Sequence, residues 1–150
     1  MNAARRPNGL NGGLLTAGPT TGVRATVALV GRLAGGVVFV IFGAGKFVNH
    51  GSELASFQAY GLPAPDAFVY AIGVIELVGG MLLILGLLTR PAALVLAGDM
   101  VGAIVVSGIG RGELVSLTLA PAELLLCLYL LWTGPGALAL DRRLALGAGS

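Results

Sequence analysis

The chain has 150 residues, 56% hydrophobic and 11% charged, with mean hydropathy +0.92 and formal net charge +2. Soluble domains carry about 25% charged residues, so an ordinary soluble fold is excluded, and no Lys/Arg cluster is present to follow a nucleic-acid backbone. A single cysteine, Cys127, rules out an intramolecular disulfide, a CxxC pair or a cysteine-based zinc site, and a single histidine, His50, rules out a haem held by two histidines of one chain.

Residues 1–22 are rich in Gly, Asn, Thr and Pro and lack an apolar period, so they are expected to form a flexible N-terminal tail. A cleaved signal peptide with Arg5 and Arg6 as its charged region is the alternative. The apolar run that follows is too long for a signal core and carries Arg32. Four spans then occupy residues 23–135, at about Arg24–Val48, Asp66–Leu88, Pro91–Ile109 and Leu114–Thr133. Each has roughly the 20 residues a helix needs to cross a bilayer. Residues 49–65 form the longest connection, expected to lie at the membrane surface as a short cap. A tight turn at Leu88–Pro91 joins spans two and three, and Pro121 predicts a kink or loosening inside the fourth.

Basic residues set the expected orientation. With the N-terminus inside, Arg5, Arg6, Arg24, Arg90, Arg142 and Arg143 are cytoplasmic, and only Lys46 and Arg111 lie outside. The sequence therefore predicts an all-α integral membrane protein, a four-transmembrane-helix bundle with both ends in the cytoplasm, multi-pass in the membrane. Residues 136–150 are left as a short cytoplasmic tail. Lys46, Arg90 and Trp132, at span ends, read as interface anchors. Glu53, Asp66, Arg111 and Glu113 read as solvated loop charges, His50 as a surface residue and Cys127 as a packing residue.

One charged residue interrupts each span: Arg32, Glu76, Asp99 and Glu123. A central Arg or Asp costs roughly 2.5–3.5 kcal/mol even by low estimates, so four of them suggest a common polar site. Counting residues from the span ends at 1.5 Å each puts all four within a band about 6 Å deep. Each shares its helical face with small residues: Arg32 with Gly35, Gly36 and Gly43, Glu76 with Gly73, Gly79 and Gly80, Asp99 with Gly102 and Ala103, and Glu123 with Ser116, Ala120 and Cys127. Small residues mark faces where membrane helices pack closely, so the charges should converge inside the bundle. One guanidinium faces three carboxyls, and unpaired carboxylates in low dielectric are costly, so some should take up protons. Arg32 is expected to pair with Glu76. The four residues are thus candidates for ligand binding or a proton relay, or form a hydrogen-bonded staple that fixes helix order. Carboxylates can also hold a hard metal ion, although no histidine joins these acids, and no metal ligands are assigned.

The same residues resemble the DoxX family of small four-helix bacterial membrane proteins. The likeness is carried by Gly31-Arg32, Gly35, Phe39, Gly43 and Lys46, by Phe57 and Tyr60-Gly61-Leu62-Pro63, and by Ile72 through Gly80, Leu82 to Gly86 and Thr89-Arg90. It covers about residues 25–110; the fourth span shares only general character. The family is similar to the membrane subunit of thiosulfate:quinone oxidoreductase and is associated with redox systems. The resemblance implies an integral membrane subunit of a redox-associated, quinone-linked assembly in the bacterial plasma membrane, with quinone as cofactor or substrate, and with lipid and partner redox subunits around it. If the chain is an enzyme, it is an oxidoreductase subunit using quinone. A small proton-coupled transporter and a non-catalytic scaffold for soluble redox enzymes are the alternatives.

Overall fold

The computed structural model describes residues 21–147, so nearly all of the expected N-terminal tail lies outside the described residues. Six helices follow in chain order: α1 (Val23–Val48), α2 (His50–Ala59), α3 (Pro65–Leu85), α4 (Thr89–Gly102), α5 (Leu114–Thr133) and α6 (Leu140–Gly147). Helix α4 runs without a break into a π-helical segment, Ala103–Ile109. The four long apolar elements are α1, α3, α4 with its π extension, and α5, as the sequence predicts. Among the described residues there is no strand.

Pattern explains the packing. In each span only 28–39% of the most apolar window is buried within the protein. The exposed side chains are Val, Leu, Ile, Phe and Met along every long helix, whereas Arg32, Lys46, Glu76 and Glu123 are buried. Apolar outside and charged inside reverses the pattern of a water-soluble bundle, and continuous apolar surface of this extent requires lipid. The protein is an integral membrane protein.

Helices α1 and α3 form the most extensive contact, followed by α4 with α5; α3 against α4 and α1 against α5 close the ring. The α1–α3 seam depends on the absence of side chains. A Cβ at Gly80 would sit 2.7 Å from the Gly36 carbonyl oxygen, and one at Gly36 would sit 2.9 Å from the Gly80 carbonyl oxygen. Without hydrophobic driving force between helices in lipid, this backbone approach is the source of dispersion contact.

Helix ends follow local chemistry. Pro65 opens α3 at a position whose N–H needs no partner, and Asp66 sits in its first turn, where a carboxylate favours the helix dipole. Gly86 ends α3 at φ 64°, with its N–H donating to Leu83 O (3.1 Å) and Leu87 N–H donating to Leu82 O (3.0 Å). That Schellman arrangement needs a residue at ease in the left-handed region. Helix α5 continues through Pro121.

The segment after α5 folds back onto the bundle. Asp141 Oδ1 accepts from Leu88 N–H (2.7 Å) and Oδ2 from Thr89 N–H (3.0 Å), which caps the start of α4 with a carboxylate from α6. Asp141 N–H donates to Gly86 O (3.0 Å) and Ala137 N–H to Ala25 O (3.3 Å). Residues 136–147 are thereby tied to α1 and to the α3–α4 turn. The connection between α1 and α3 is a helix, α2, held to α3 by His50 Nε2 at 2.8 Å from Asp66 Oδ1 and by stacking of His50 on Tyr70 at 4.4 Å.

Candidate functional site

The bundle holds a half-open cavity of about 460 Å³ bounded by α1, α2, α3, α4 with its π segment, and α5. Its apolar wall includes Phe39, Phe42, Phe57 and Phe68. Its polar wall carries Lys46, Glu76, Asp99 and Glu123, with Tyr60, Ser107, Glu113, Ser116 and Glu53 toward the end capped by α2. Three of the four charges expected from the sequence are brought together here. The fourth is not.

Arg32 belongs to the other end of the bundle. It is 1% exposed, donates from Nη2 to Ala137 O (3.2 Å), and lies so close to Gly86 that a Cβ there would overlap its guanidinium. The charge acting on it is Asp141, the α4 cap. The expected Arg32–Glu76 pair does not form. Residue counting places Cα atoms in depth, but an Arg side chain reaches far along the helix, and here it reaches toward the C-terminal segment.

Lys46 takes the place expected of Arg32. Read from sequence as an interface anchor, it is 8% exposed, and its Nζ donates to Glu76 Oε2 at 2.6 Å. The reason is the cost of leaving Glu76 alone: a buried carboxylate near an ammonium is far better paired than separate. Lys46 is close enough to the end of α1 to snorkel outward, yet its stem packs beside Gly73, where a Cβ would meet Lys46 Cβ at 3.2 Å. Of the other two expected anchors, Trp132 is 69% exposed, with Arg24 Cζ 5.6 Å from its ring centroid, and Arg90 Nη2 donates to Trp132 O (3.5 Å). These three residues gather at one end of the bundle.

Asp99 and Glu123 are incompletely satisfied. Asp99 Oδ2 and Glu123 Oε2 are buried and have no hydrogen-bond partner among the described residues. Glu123 is 6% exposed and packs where α1 has Gly35; a Cβ at Gly35 would lie 2.7 Å from its Oε2. Asp99 is within electrostatic reach of both Lys46 and Glu76. No group of His, Cys, Asp and Glu suited to a metal ion occurs among the described residues.

The sequence reading missed a second cluster. Ser107 Oγ donates to Tyr60 Oη (3.1 Å), Tyr60 Oη to Glu113 Oε2 (3.1 Å), and Ser116 Oγ lies 3.0 Å from Ser107 Oγ and 3.1 Å from Glu113 Oε2. Four side chains thus close a ring. Burial, and to a lesser degree the neighbouring Glu113 and Glu53, hold the Tyr60 hydroxyl above its ordinary pKa, so it stays protonated at neutral pH. Ser107 joins the ring because it lies in the π segment. Eight residues of plain α-helix would turn it about 80° from Asp99; the wider π turn reduces that offset. The only signal in the sequence was a pair of serines in otherwise apolar spans, one of them on the face of Glu123.

The family model of DoxX matches residues 27–108, which contain Lys46, Tyr60, Glu76, Asp99 and Ser107.

This chain belongs to the DoxX family.

Of three relatives, two are named as membrane proteins and one as an oxidoreductase. The chain is 38% identical over 133 residues to the uncharacterized membrane protein Rv3486 of Mycobacterium tuberculosis, covering 76% of this chain and 78% of that one. It is 33% identical over 110 residues to CatD of Bacillus subtilis, whose name proposes an oxidoreductase, covering 73% and 81%. It is 29% identical over 132 residues to the inner membrane protein YphA of Escherichia coli, covering 80% and 91%. No solved structure matches the chain. DoxX membership and four apolar helices make this a bacterial membrane protein.

Proposed function

We propose that this DoxX protein is the membrane subunit of a redox-associated assembly and that its cavity receives a quinone headgroup beside Lys46, Glu76, Asp99 and Glu123. The observation that carries this reading is the pairing of an aromatic wall with two orphaned carboxyl oxygens and one ammonium in a single intramembrane cavity. A flat ring with two carbonyls fits such a wall: aromatic side chains take its faces and polar groups its edge. A bound quinone would supply hydrogen-bond-accepting oxygens and a capacity for reducing equivalents drawn from a partner subunit.

The chain's own residues divide the work. Lys46 Nζ donates to a carbonyl while keeping its bond to Glu76, since an ammonium has three donors. Asp99 at Oδ2 and Glu123 at Oε2 hold protons and donate them, which satisfies two atoms otherwise orphaned in low dielectric. Arg32, outside the cavity, holds the C-terminal segment. The CatD name supports a redox role for a relative, and the expected orientation, N-terminus in, puts the α2 cap at the outer face.

Detergent-purified protein, alone or with its genomic neighbours, is expected to retain quinone detectable by mass spectrometry. Glu123→Leu and Asp99→Leu, which cannot donate, should each lower retention by about tenfold, the worth of one hydrogen bond in a buried site. Full retention in the double variant, or none in the parent protein, refutes the reading. The second reading, a proton-coupled transporter, is favoured by the five carboxyls facing one ammonium; it requires solute-driven proton flux in liposomes that Glu76→Gln abolishes.

A further inference from the structure

We infer that the ring of Glu113, Ser116, Ser107 and Tyr60 is the proton entry of the cavity, passing protons between solvent at the α4–α5 connection and the buried carboxyls. The inference rests on the proposed role of Asp99 and Glu123 as proton holders and adds the route by which they are supplied.

Placement comes first. Glu113 is exposed, Ser107 and Ser116 are buried, and Tyr60 is partly buried, so the ring runs from solvent into the protein. All four also line the cavity that holds Glu76, Asp99 and Glu123. Ser116 and Glu123 lie seven residues apart on one face of α5, about 10 Å along the helix, with Ala120 between them. Leu119 and Ala120 stand between them on that face, and both line the cavity, which spans the interval.

Hydrogen-bond bookkeeping comes second. Each hydroxyl can donate once and accept twice. Ser116 has two acceptors in reach, Ser107 Oγ and Glu113 Oε2, but a single hydrogen. With Glu113 ionised, the donors run Ser116 to Ser107 to Tyr60 to Glu113, ending on the carboxylate. With Glu113 protonated, the carboxyl can donate to Ser116 Oγ; Ser116 then turns its own hydrogen from Ser107 toward the cavity, where water filling the interval of about 10 Å relays the proton to Glu123. The ring therefore has two proton arrangements, one on either side of a single transfer. A purely structural latch needs the Tyr60–Glu113 bond alone; it does not need two buried serines in series.

The charged surroundings suit the direction. Glu53 from α2 faces Tyr60, and Glu76 from α3, Asp99 from α4 and Glu123 from α5 line the cavity beyond, with Lys46 from α1 as the one cation. An acid-lined path attracts protons and disfavours their replacement by anions.

The test follows hydrogen–deuterium exchange of the buried carboxyls by infrared spectroscopy on the full chain in lipid nanodiscs, with the bands assigned by Asp99→Asn and Glu123→Gln. The carbonyl band of protonated carboxyl should shift promptly on transfer to heavy water. In Ser107→Ala combined with Ser116→Ala the shift should slow by roughly tenfold or more, since each step needs a partner within hydrogen-bond reach. Ser116→Thr, which keeps the hydroxyl, should restore the rate. Tyr60→Phe, which removes the latch but leaves both serines, should slow exchange less than the double serine variant. Wild-type exchange in the double serine variant overturns the inference, as does the absence of any exchangeable carboxyl band. If that variant fails to fold, Ser116→Cys, whose thiol is a poor donor, replaces it and the same comparison holds. Prompt exchange in the parent protein and slowed exchange in the double serine variant, with no quinone retained, upholds the entry route and rejects the quinone reading, so the two fail separately.

Discussion

At the scale of single residues, Lys46 and Glu76 form the pair on which the cavity depends. Removing one partner of a buried ion pair strands the other charge and costs about 3–5 kcal/mol, whereas replacing both with apolar groups of similar volume can be neutral. Lys46→Ala and Glu76→Ala are each expected to lower thermal stability in detergent sharply. Lys46→Met with Glu76→Leu should recover most of the loss while abolishing ligand retention. Equal loss in the single and double variants would show that the pair itself, not the stranded charge, carries the stability. Tyr60 makes the complementary point outside the membrane span. Because folded Tyr60 holds its proton more tightly than an unfolded tyrosine, its contribution is complete below the ordinary value of 10.0 and is lost as pH rises through the higher folded value. Alkaline difference absorbance should therefore show one phenol titrating late, missing in Tyr60→Phe. Glu76, Asp99 and Glu123 were legible in the sequence because charge is rare in an apolar span. Lys46 was misread because a lysine near a helix end snorkels by default, and only the position of Glu76 overrides that default.

At the scale of elements, the α1–α3 seam and the π segment do different jobs. The seam is tight because Gly36 and Gly80 present carbonyls to each other's missing side chains. Gly80→Val should cost about 1–3 kcal/mol or more from overpacking against backbone that cannot yield. Gly45→Ala, in the same helix as Gly36 but with nothing within 4 Å of the added carbon, should be neutral or slightly stabilising. Denaturation in mixed detergent micelles would separate the two, and an equal response would place the close approach elsewhere. The four spans were legible from length and hydropathy within a few residues. The π segment was not, because its sequence, AIVVSGI, satisfies an α-helical apolar pattern equally well. What differs is the hydrogen-bond register, in which Gly110 N–H reaches Val105 O five residues back.

At the scale of the whole molecule, the bundle has two separate polar clusters. One is the cavity and its hydroxyl ring. The other is a clamp in which Arg32 and Asp141 fasten the C-terminal segment across the α3–α4 turn. Asp141→Ala should cost about 1–2 kcal/mol for the lost cap, and more if Arg32 is left without its counter-charge. Thermal unfolding would read that loss, and quinone retention should persist because the cavity lies elsewhere. A parallel loss of retention would couple the two clusters and contradict their separation. The sequence by itself determined the solvent, the number of spans and which helices carry acid, because transfer free energy depends on composition and length alone. Only the tertiary structure decided which charges meet. Side chains reach several ångströms beyond their Cα atoms, and partners are chosen by packing across helices, so Arg32 left the cavity, Lys46 entered it, and two serines joined a nearby glutamate to a tyrosine 47 residues from Ser107.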